Sequence, residues 1–473
     1  MPLTVRHLDT PTLGDRSYIA HDGSVAVIVD PQRDLDRVYA LLEQEGVRPG
    51  LIVETHMHND YVSGGLQLSR EHGIPLLTSH EDPVAFDRTT VRDTEIVPVG
   101  TFAVQALHTP GHTFTHMSYA LLDPDGHAQG VFTGGSLLHG STGRPDLLGQ
   151  EHAPTLAALQ YGSAHRLVDL LEDRVPIHPT HGFGSFCAAT ATCSDRSTIA
   201  DEKRTNPALL LPEAEFIAQT LAGLDVFPAY YRHMGPANLA GPGPIDLSPL
   251  TPVRPDEVAR LAAQGAWVVD LRNRVAWAQG HVPQTISFGI EGSMATYLGW
   301  VYPYGDKLVL IGDSEAQVRD AQRELVRIGI ERPDGAYIGT IPDLVETPST
   351  TPMVTFHDVP DALDRGVVLL DVRRTHEFNA AHIDGALNIP LHEVTDRANE
   401  VPEEREVWVH CAGAYRAAAA IGLLERRGRT ATLINEPFEA CLSVPGLRVV
   451  SGHRDAGPVA SDEHTLQVGS TTA

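Results

Sequence analysis

Two stretches of this chain repeat one pattern, and that pattern decides the architecture of its second half. Residues 267–288 (WVVDLRNRVAWAQGHVPQTISF) and 367–391 (VVLLDVRRTHEFNAAHIDGALNIPL) both start as an apolar strand. Each then runs through Asp-Leu/Val-Arg into a short helix bearing an aromatic residue, and on to Gly/Ala-His-Val/Ile and a turn. Each is followed by a second strand (KLVLIGD, EVWVHCAG) and a helix (AQVRDAQRELVRIGI, RAAAAIGLLERRG). Continuous apolar strands alternating with helices bury both faces of a sheet, so each copy predicts a small parallel-sheet α/β domain.

The first half reads differently. Short strand-like runs (SVAVIVD, GLIVETH, EIVPVG, FAVQALHTPGH, MSYALL, GVFTGG) are punctuated by Gly, Pro and His. Helical periodicity appears in RDLDRVYALLEQEG, APTLAALQYGSAHRLVDLLED and LPEAEFIAQTLAGL. Two stretches rich in Pro and small polar residues, Leu239–Glu257 and Glu346–Val354, read as linkers. Three domains are therefore expected, at residues 1–240, 252–345 and 354–453.

Charge and cysteine usage narrow the function. Lys and Arg number 35 against 61 Asp and Glu, a net charge of −26, which argues against nucleic acid or an anionic membrane as partner. No run approaches the ~18 apolar residues of a membrane span. MPLTVRHLDT lacks the basic and apolar regions of a signal peptide. Four cysteines (Cys187, Cys193, Cys411, Cys441) in 473 residues cannot form a disulfide framework and suit a reducing cytoplasm.

Chemistry concentrates at strand ends. ETHMHNDYVSGG puts His56, His58 and Asp60 at alternate positions, and HTPGHT adds His112. IHPTHG adds His178 and His181, and HGSTGRPDL adds His139 and Arg144. Such side chains converging at one sheet edge can hold a cation, whereas a single polar loop holding two histidines by chance would not recur at several strand ends. His139 and His178 are expected to be peripheral. Cys187, near His181, reads as buried filler or as a pocket thiol. At the other end of the chain, Cys411 follows a strand and precedes a helix that Arg416 opens. A thiol there faces free N–H groups, the positive end of a helix dipole and a guanidinium, all favouring thiolate and a bound anionic sulfur species. The equivalent position of the first copy is Asp313, which cannot carry sulfane sulfur.

The first block resembles the metallo-β-lactamase superfamily: its His-X-His-X-Asp-His signature stands here as His56-Met-His58-Asn-Asp60-Tyr61. The nearest branch looks like the persulfide dioxygenases, relatives of glyoxalase II, whose motifs appear as Thr109–Thr113, Phe132–Gly135, Gly143–Asp146 and EKRTNP. That resemblance implies an αββα sandwich and a mononuclear Fe(II), with Zn or no metal as alternatives. It carries the two imidazole ligands to His56 and His112. The expected carboxylate ligand is replaced by Gly135 and the last motif histidine by Tyr61. His58, Asp60 and His181 complete the expected metal set, the third ligand being solvent, the sulfur substrate, or one of Asp60, Tyr61 and His181. An Asp placed at 135 is expected to restore the family triad, or to crowd the site if Asp60 or Tyr61 has taken over as ligand. Tyr61 and Arg144 are expected to touch substrate, with a local Arg144–Asp146 ion pair that orients a loop as the alternative for Arg144.

The last block resembles rhodanese. Its active loop Cys-X-X-Gly-X-Arg stands as Cys411-Ala412-Gly413-Ala414-Tyr415-Arg416, with Ala414 where Gly is usual. The family's nucleophile carries to Cys411 with Arg416, and the loop residues Ala412, Gly413, Ala414 and Tyr415 are expected to bind substrate. The whole order, lactamase-like, Cys-less rhodanese-like, Cys-bearing rhodanese, resembles bacterial persulfide dioxygenase–sulfurtransferase fusions. It implies oxidation of glutathione persulfide or another small persulfide to sulfite, coupled to sulfane-sulfur transfer with thiosulfate as donor or product. A sulfurtransferase with a non-catalytic lactamase-like block, and a thioester hydrolase of glyoxalase II type, are the alternatives. A homodimer is one assembly open to such a chain.

Overall fold

The computed structural model describes residues 3–190 and 194–452, so Cys193 lies outside the described residues. The first block is an αββα sandwich. One six-stranded sheet pairs Thr4–Thr10, Asp15–His21, Val25–Val29, Arg48–Val53, Leu76–Ser79 and Thr89–Val91 in sequence order. The other runs Ser197–Thr198, Pro176–Pro179, Ala128–Gly134, Met117–Leu122, Phe102–His108, Ile96–Val99. Between them Tyr18, Val27, Val53, Tyr119, Leu121 and Phe132 form a dry core. Leu35, Val38 and Leu42 seat the helix Asp36–Glu45 on the outer face of the first sheet, and Ala164 and Leu167 seat Ala153–Leu170 on the second. The strand ends after Val29, Val53 and Pro179, and the turn after His108, all open at one edge, where the polar residues collect.

The repeat is realised as two all-parallel sheets, of four strands (Ile286–Ser287, Trp267–Asp270, Leu308–Gly312, Gly335–Ile338) and five (Met353–Val354, Thr432–Ile434, Val407–His410, Val368–Asp371, Leu387–Asn388). The repeated residues do the same work in both. Arg272 grips Asp270 and the Gly280 carbonyl, and Arg373 grips Asp371 and the Ala381 carbonyl. His281 stacks on Trp277 at 3.9 Å and His382 on Phe378 at 3.8 Å, each ring donating from Nδ1 to the carbonyl four residues earlier. The copies differ where the chemistry lies. Between Val407–His410 and the helix Tyr415–Glu425 the third block has the loop of residues 411–414. Between Leu308–Gly312 and Glu315–Arg327 the middle block has only Asp313 and Ser314, and Ser314 caps the helix. The middle block has lost the cradle as well as the thiol.

The blocks are not strung loosely. One core joins Tyr61, Val62 and Met234 of the first block to Leu298 and Ile328 of the middle and Leu424 of the third. The first presumed linker includes the end of helix Tyr231–Ala240 and the start of Pro255–Ala263. Its irregular part is pinned by Gln67, which accepts from the Ile245 N–H, and by Gln322, which donates to the Ser248 carbonyl. No helix among the described residues is long and apolar enough to cross a membrane.

A buried ion pair locks the middle block onto the first: Arg327 Nη2 lies 2.6 Å from Asp34 Oδ2, and the Arg327 carbonyl accepts from the Val62 N–H at 2.7 Å. Removing one partner of a buried pair strands the other charge. Arg37 still faces Asp34, so Arg327→Met is expected to lower stability by about 3 kcal/mol, the low end for such pairs, with Arg327→Lys recovering part. Urea denaturation midpoints check this, and an unchanged midpoint in the Met variant would contradict it.

Candidate functional site

At the open edge of the sandwich, three imidazole nitrogens converge. Ligand atoms of His56, His112 and His181 lie within 4.8 Å of one another, and all three residues are buried. Each ring is held from behind through Nδ1. The Thr55 hydroxyl donates to Asp30 and so accepts from His56 Nδ1–H at 2.9 Å. His112 Nδ1–H donates to the Arg144 carbonyl at 2.9 Å, and His181 Nδ1–H to Asp15 at 2.9 Å, with Asp60 3.2 Å away. All three Nε2 atoms are thereby turned into the pocket. His112 Nε2 has no hydrogen-bond partner there, and the Nε2 atoms of His56 and His181 face each other at 3.3 Å. At that distance the two nitrogens are held together either by a cation between them or by a proton that His181 donates to His56.

Electrostatics fit the same reading. Burial pushes the His56 imidazole well below its ordinary range and, with His181 beside it, brings His112 down to about 3, so both stay neutral and available as ligands. For His181, burial opposes the charged form, but the carboxylates of Asp60 and Asp15 outweigh it and push it up to about 10. His56 and His112 are thus neutral donors and His181 becomes one on losing its proton; three imidazoles so oriented by outer oxygen partners form a donor set that suits a first-row divalent metal.

The other expected ligands take different places. His58 turns its Nε2 toward the Tyr61 hydroxyl (3.0 Å), Asp30 (3.3 Å) and Glu54 (3.4 Å). Asp60 backs His181, and a second grouping of His58, Asp60 and His181 shares that histidine. Tyr61, expected to touch substrate, is fully buried and stacks on His58 at 4.2 Å. Of the two readings open for Arg144, the structure holds the local one: it makes a bidentate pair with Asp146 and donates to the Phe186 and Asp225 carbonyls. Its role is to fix the loop whose carbonyl orients His112. Cys187 is core: burial, then Asp60, pushes its thiol well up, and its Sγ lies 3.7 Å from the Tyr231 hydroxyl. His139 and His178 line a different cavity of about 790 Å³ with Arg6, Arg16 and Arg196.

Gly135 explains the arrangement. A Cβ at 135 would lie 2.3 Å from His112 Cδ2, and one at Gly143 would lie 2.6 Å from His112 Nδ1. The ring fills the space between two glycines, so the expectation that an Asp at 135 would restore the family triad fails on sterics. His181 stands as the third candidate ligand instead. Two residues behind the site escaped the sequence reading. Asp15 reaches it from a hairpin that had no strand signal, and Asp30 was seen only as a strand end.

The thiol loop is equally closed. Cys411 is 1% exposed. Ala414 holds φ +65°, the left-handed conformation that the usual Gly serves without strain. It thereby turns the loop into the helix Tyr415–Glu425, whose first-turn N–H groups lack intrahelical partners. Arg416 is gripped bidentately by Glu377, at 2.6 and 2.8 Å. Tyr415 does not offer its hydroxyl to a substrate as expected: it donates to the Gly289 carbonyl of the middle block at 2.8 Å. Ala412 and Gly413 are the loop residues with solvent access.

Comparison with known proteins places these sites in context. A model of the Rhodanese-like domain matches residues 355–442. Persulfide dioxygenase ETHE1, mitochondrial, of Homo sapiens is 29% identical over 251 residues, spanning 52% of this chain and 86% of its own. The Bos taurus protein of the same name is 30% identical over 224 residues, spanning 46% and 80%. Among solved structures, a metallo-beta-lactamase from Staphylococcus aureus subsp. aureus COL aligns with a TM-score of 0.63 at 26% identity, covering 72% of this chain and all of that one.

Two outcomes follow from the geometry. Gly135→Asp is expected to lower metal content per chain, since its side chain must displace His112; elemental analysis showing higher occupancy would contradict the steric account. Glu377→Gln leaves the Arg416 cation without a counter-charge and is expected to cost about 3 kcal/mol at pH 7. Burial opposes its charge, but Arg416 holds the Glu377 carboxyl down to about 2 from an ordinary 4.5. The pair therefore stabilises fully above about pH 4.5 and progressively less as pH falls toward 2. Denaturation of parent and variant across that window should show the gap closing with acid.

Proposed function

We propose a function from one premise: the chain belongs to the persulfide dioxygenase family, and it carries a rhodanese-like domain at residues 355–442. The protein oxidises a low-molecular-weight persulfide, glutathione persulfide being the reference substrate, and moves sulfane sulfur through Cys411. The observation that carries this reading is the convergence of three imidazole Nε2 atoms in one block and a thiol at a helix N-terminus in another block of the same chain.

His56, His112 and His181 would hold iron, and the chemistry iron supplies when bound is the activation of O₂. The remaining work falls to the protein. Thr55, the Arg144 carbonyl and Asp15 keep the three rings in the tautomer that presents Nε2. Burial keeps bulk water from the sulfur being oxidised. In sum, persulfide, O₂ and water give thiol, sulfite and two protons. At the second site the Cys411 thiolate takes the outer sulfur of a persulfide or thiosulfate, forming Cys411–S–S⁻ and releasing thiol or sulfite. Sulfite attacking that outer sulfur returns the thiolate and leaves as thiosulfate. The N–H groups of the first turn of Tyr415–Glu425 favour the anionic sulfur throughout.

A second reading has one observation in its favour. His181 protonated at both ring nitrogens can donate to His56 across the 3.3 Å gap, closing the pocket without a metal. The lactamase-like block would then only bind or scaffold. A hydrolase of glyoxalase II type is weaker, because the bridging carboxylate such a dinuclear site needs is Gly135.

The readings separate experimentally. Cys411→Ser is expected to abolish sulfur transfer from thiosulfate to cyanide, at least 1000-fold, while leaving oxygen uptake with glutathione persulfide near the parent level. His181→Ala is expected to do the reverse, cutting bound iron and oxygen uptake at least tenfold. Iron-free parent protein with full thiosulfate–cyanide activity and no oxygen uptake would favour the second reading.

A further inference from the structure

The thiol loop is covered by residues that do not belong to its own block. The middle block's segment 289–293 and helix Met294–Val301 lie over it. The Gly289 carbonyl holds the Tyr415 hydroxyl, and a Cβ on Gly292 would lie 2.2 Å from the Tyr415 ring. Tyr297 packs against Tyr415 with ring centroids 5.9 Å apart, and the Arg416 guanidinium lies over the Tyr297 ring at 5.7 Å. Cys411, Arg416, Glu377 and Arg374 are the charged or ionisable groups whose fields reach the Tyr297 phenol.

Arg416, the natural anion receptor at such a loop, has both terminal nitrogens engaged by Glu377. Its charge is thereby largely offset, so an oxyanion on sulfur bound at Cys411 gains from a further donor besides the backbone. Arg374 does not supply it, being paired with Asp225 and Glu377. The Tyr297 hydroxyl has no hydrogen-bond partner among the described residues, and it is the neutral donor adjoining the loop.

We propose that the thiol site is built from two blocks, with Tyr297 of the cysteine-less middle block donating a hydrogen bond to the oxyanion of a small sulfur donor or acceptor, thiosulfate or sulfite, at Cys411. This rests on the assignment of Cys411 as sulfur carrier and gives the middle block a part in the reaction. In the loading step thiosulfate passes its outer sulfur to the Cys411 thiolate. The S–S bond of thiosulfate breaks, a Cys411–S bond forms, and sulfite leaves with the electron pair. Tyr297 neither gives nor takes a proton; it steadies the oxygens of the departing sulfite.

The test uses the full chain with thiosulfate and cyanide. Tyr297→Phe keeps the ring over Arg416 and removes one donor to a charged acceptor, so kcat/KM for thiosulfate should fall about tenfold or more, chiefly through KM. Metal content and melting temperature should stay at parent values. A Phe variant within twofold of the parent in kcat/KM overturns the proposal. A second variant keeps the test open should the first fold poorly. Gly292→Ala pushes against Tyr415 and should speed alkylation of Cys411 by iodoacetamide severalfold, read by mass spectrometry of the Cys411 peptide. Unchanged alkylation in a folded Ala variant would show that the middle block does not cover the thiol. Cys411→Ser serves as control: transfer persisting in it would overturn the sulfur-carrier assignment itself, whatever Tyr297 does.

Discussion

One buried carboxylate gathers the metal pocket. Asp30 ends the strand Val25–Val29 in a left-handed conformation, φ +49°, that few non-glycine residues adopt. From there its side chain accepts from the Thr55 N–H and hydroxyl, both at 2.7 Å, and from the Thr180 hydroxyl. Thr55 follows a strand of the first sheet and Thr180 follows one of the second, so a single charge staples strand ends from both halves of the sandwich. His56 follows Thr55 and His181 follows Thr180, which means that this staple sets the spacing of two of the three converging rings. Burial opposes the charge on Asp30, but His58 and the three hydrogen bonds hold its carboxyl below the ordinary range. The strained backbone at Asp30 fits this account, since such strain persists only where surrounding bonds over-determine it.

The middle block reads as a degenerate copy only when its lost thiol is considered alone. It has a two-residue turn in place of the loop of residues 411–414, and its helix Glu315–Arg327 is capped by its own Ser314. That helix is instead free to present Arg327 and Arg323 to Asp34 and Asp36 of the first block. On the opposite side, Gly289 and Tyr297 meet the thiol loop, and the Arg426 guanidinium donates to the Ala266 and Gly265 carbonyls. The same duplicated fold thus serves as a wedge packed into both neighbours. Keeping two sites on one chain raises the effective concentration of whatever one site releases and the other consumes.

Much of the fold was legible in the sequence because its signals are local. The apolar strands, the Asp-X-Arg and His-Ile repeats and the thiol before a helix each declare themselves within a few residues. The site was legible only in part, because its deciding contacts join residues far apart in the chain. Asp15 reaches His181 from 166 positions away, and Tyr415 reaches Gly289 from 126. Tyr61 was misread for a different reason: its motif position suggests a pocket residue, whereas its ring lies on His58 three residues earlier, while the Arg144–Asp146 pair was open to reading from a two-residue spacing. Gly135 was read as the place of a missing ligand, but the sequence could not reveal that the His112 ring packs directly against it.

That exchange has an electrostatic logic. A carboxylate ligand contributes negative charge directly to a bound cation. With Gly135 at that position, the nearby carboxylates Asp15 and Asp60 stand behind His181, 2.9 and 3.2 Å from its Nδ1, and act through its ring. The negative charge near the site is retained while the contacting atoms become nitrogen. An imidazole whose Nδ1–H is held by carboxylates is a stronger donor through Nε2 than a free one, which partly offsets the missing anionic ligand. The same two carboxylates also stabilise a proton on His181 in competition with the cation, so occupancy of this centre is coupled to proton release in a way that a directly bound carboxylate would not impose. The substitution therefore changes what the centre responds to, as well as which atoms line it.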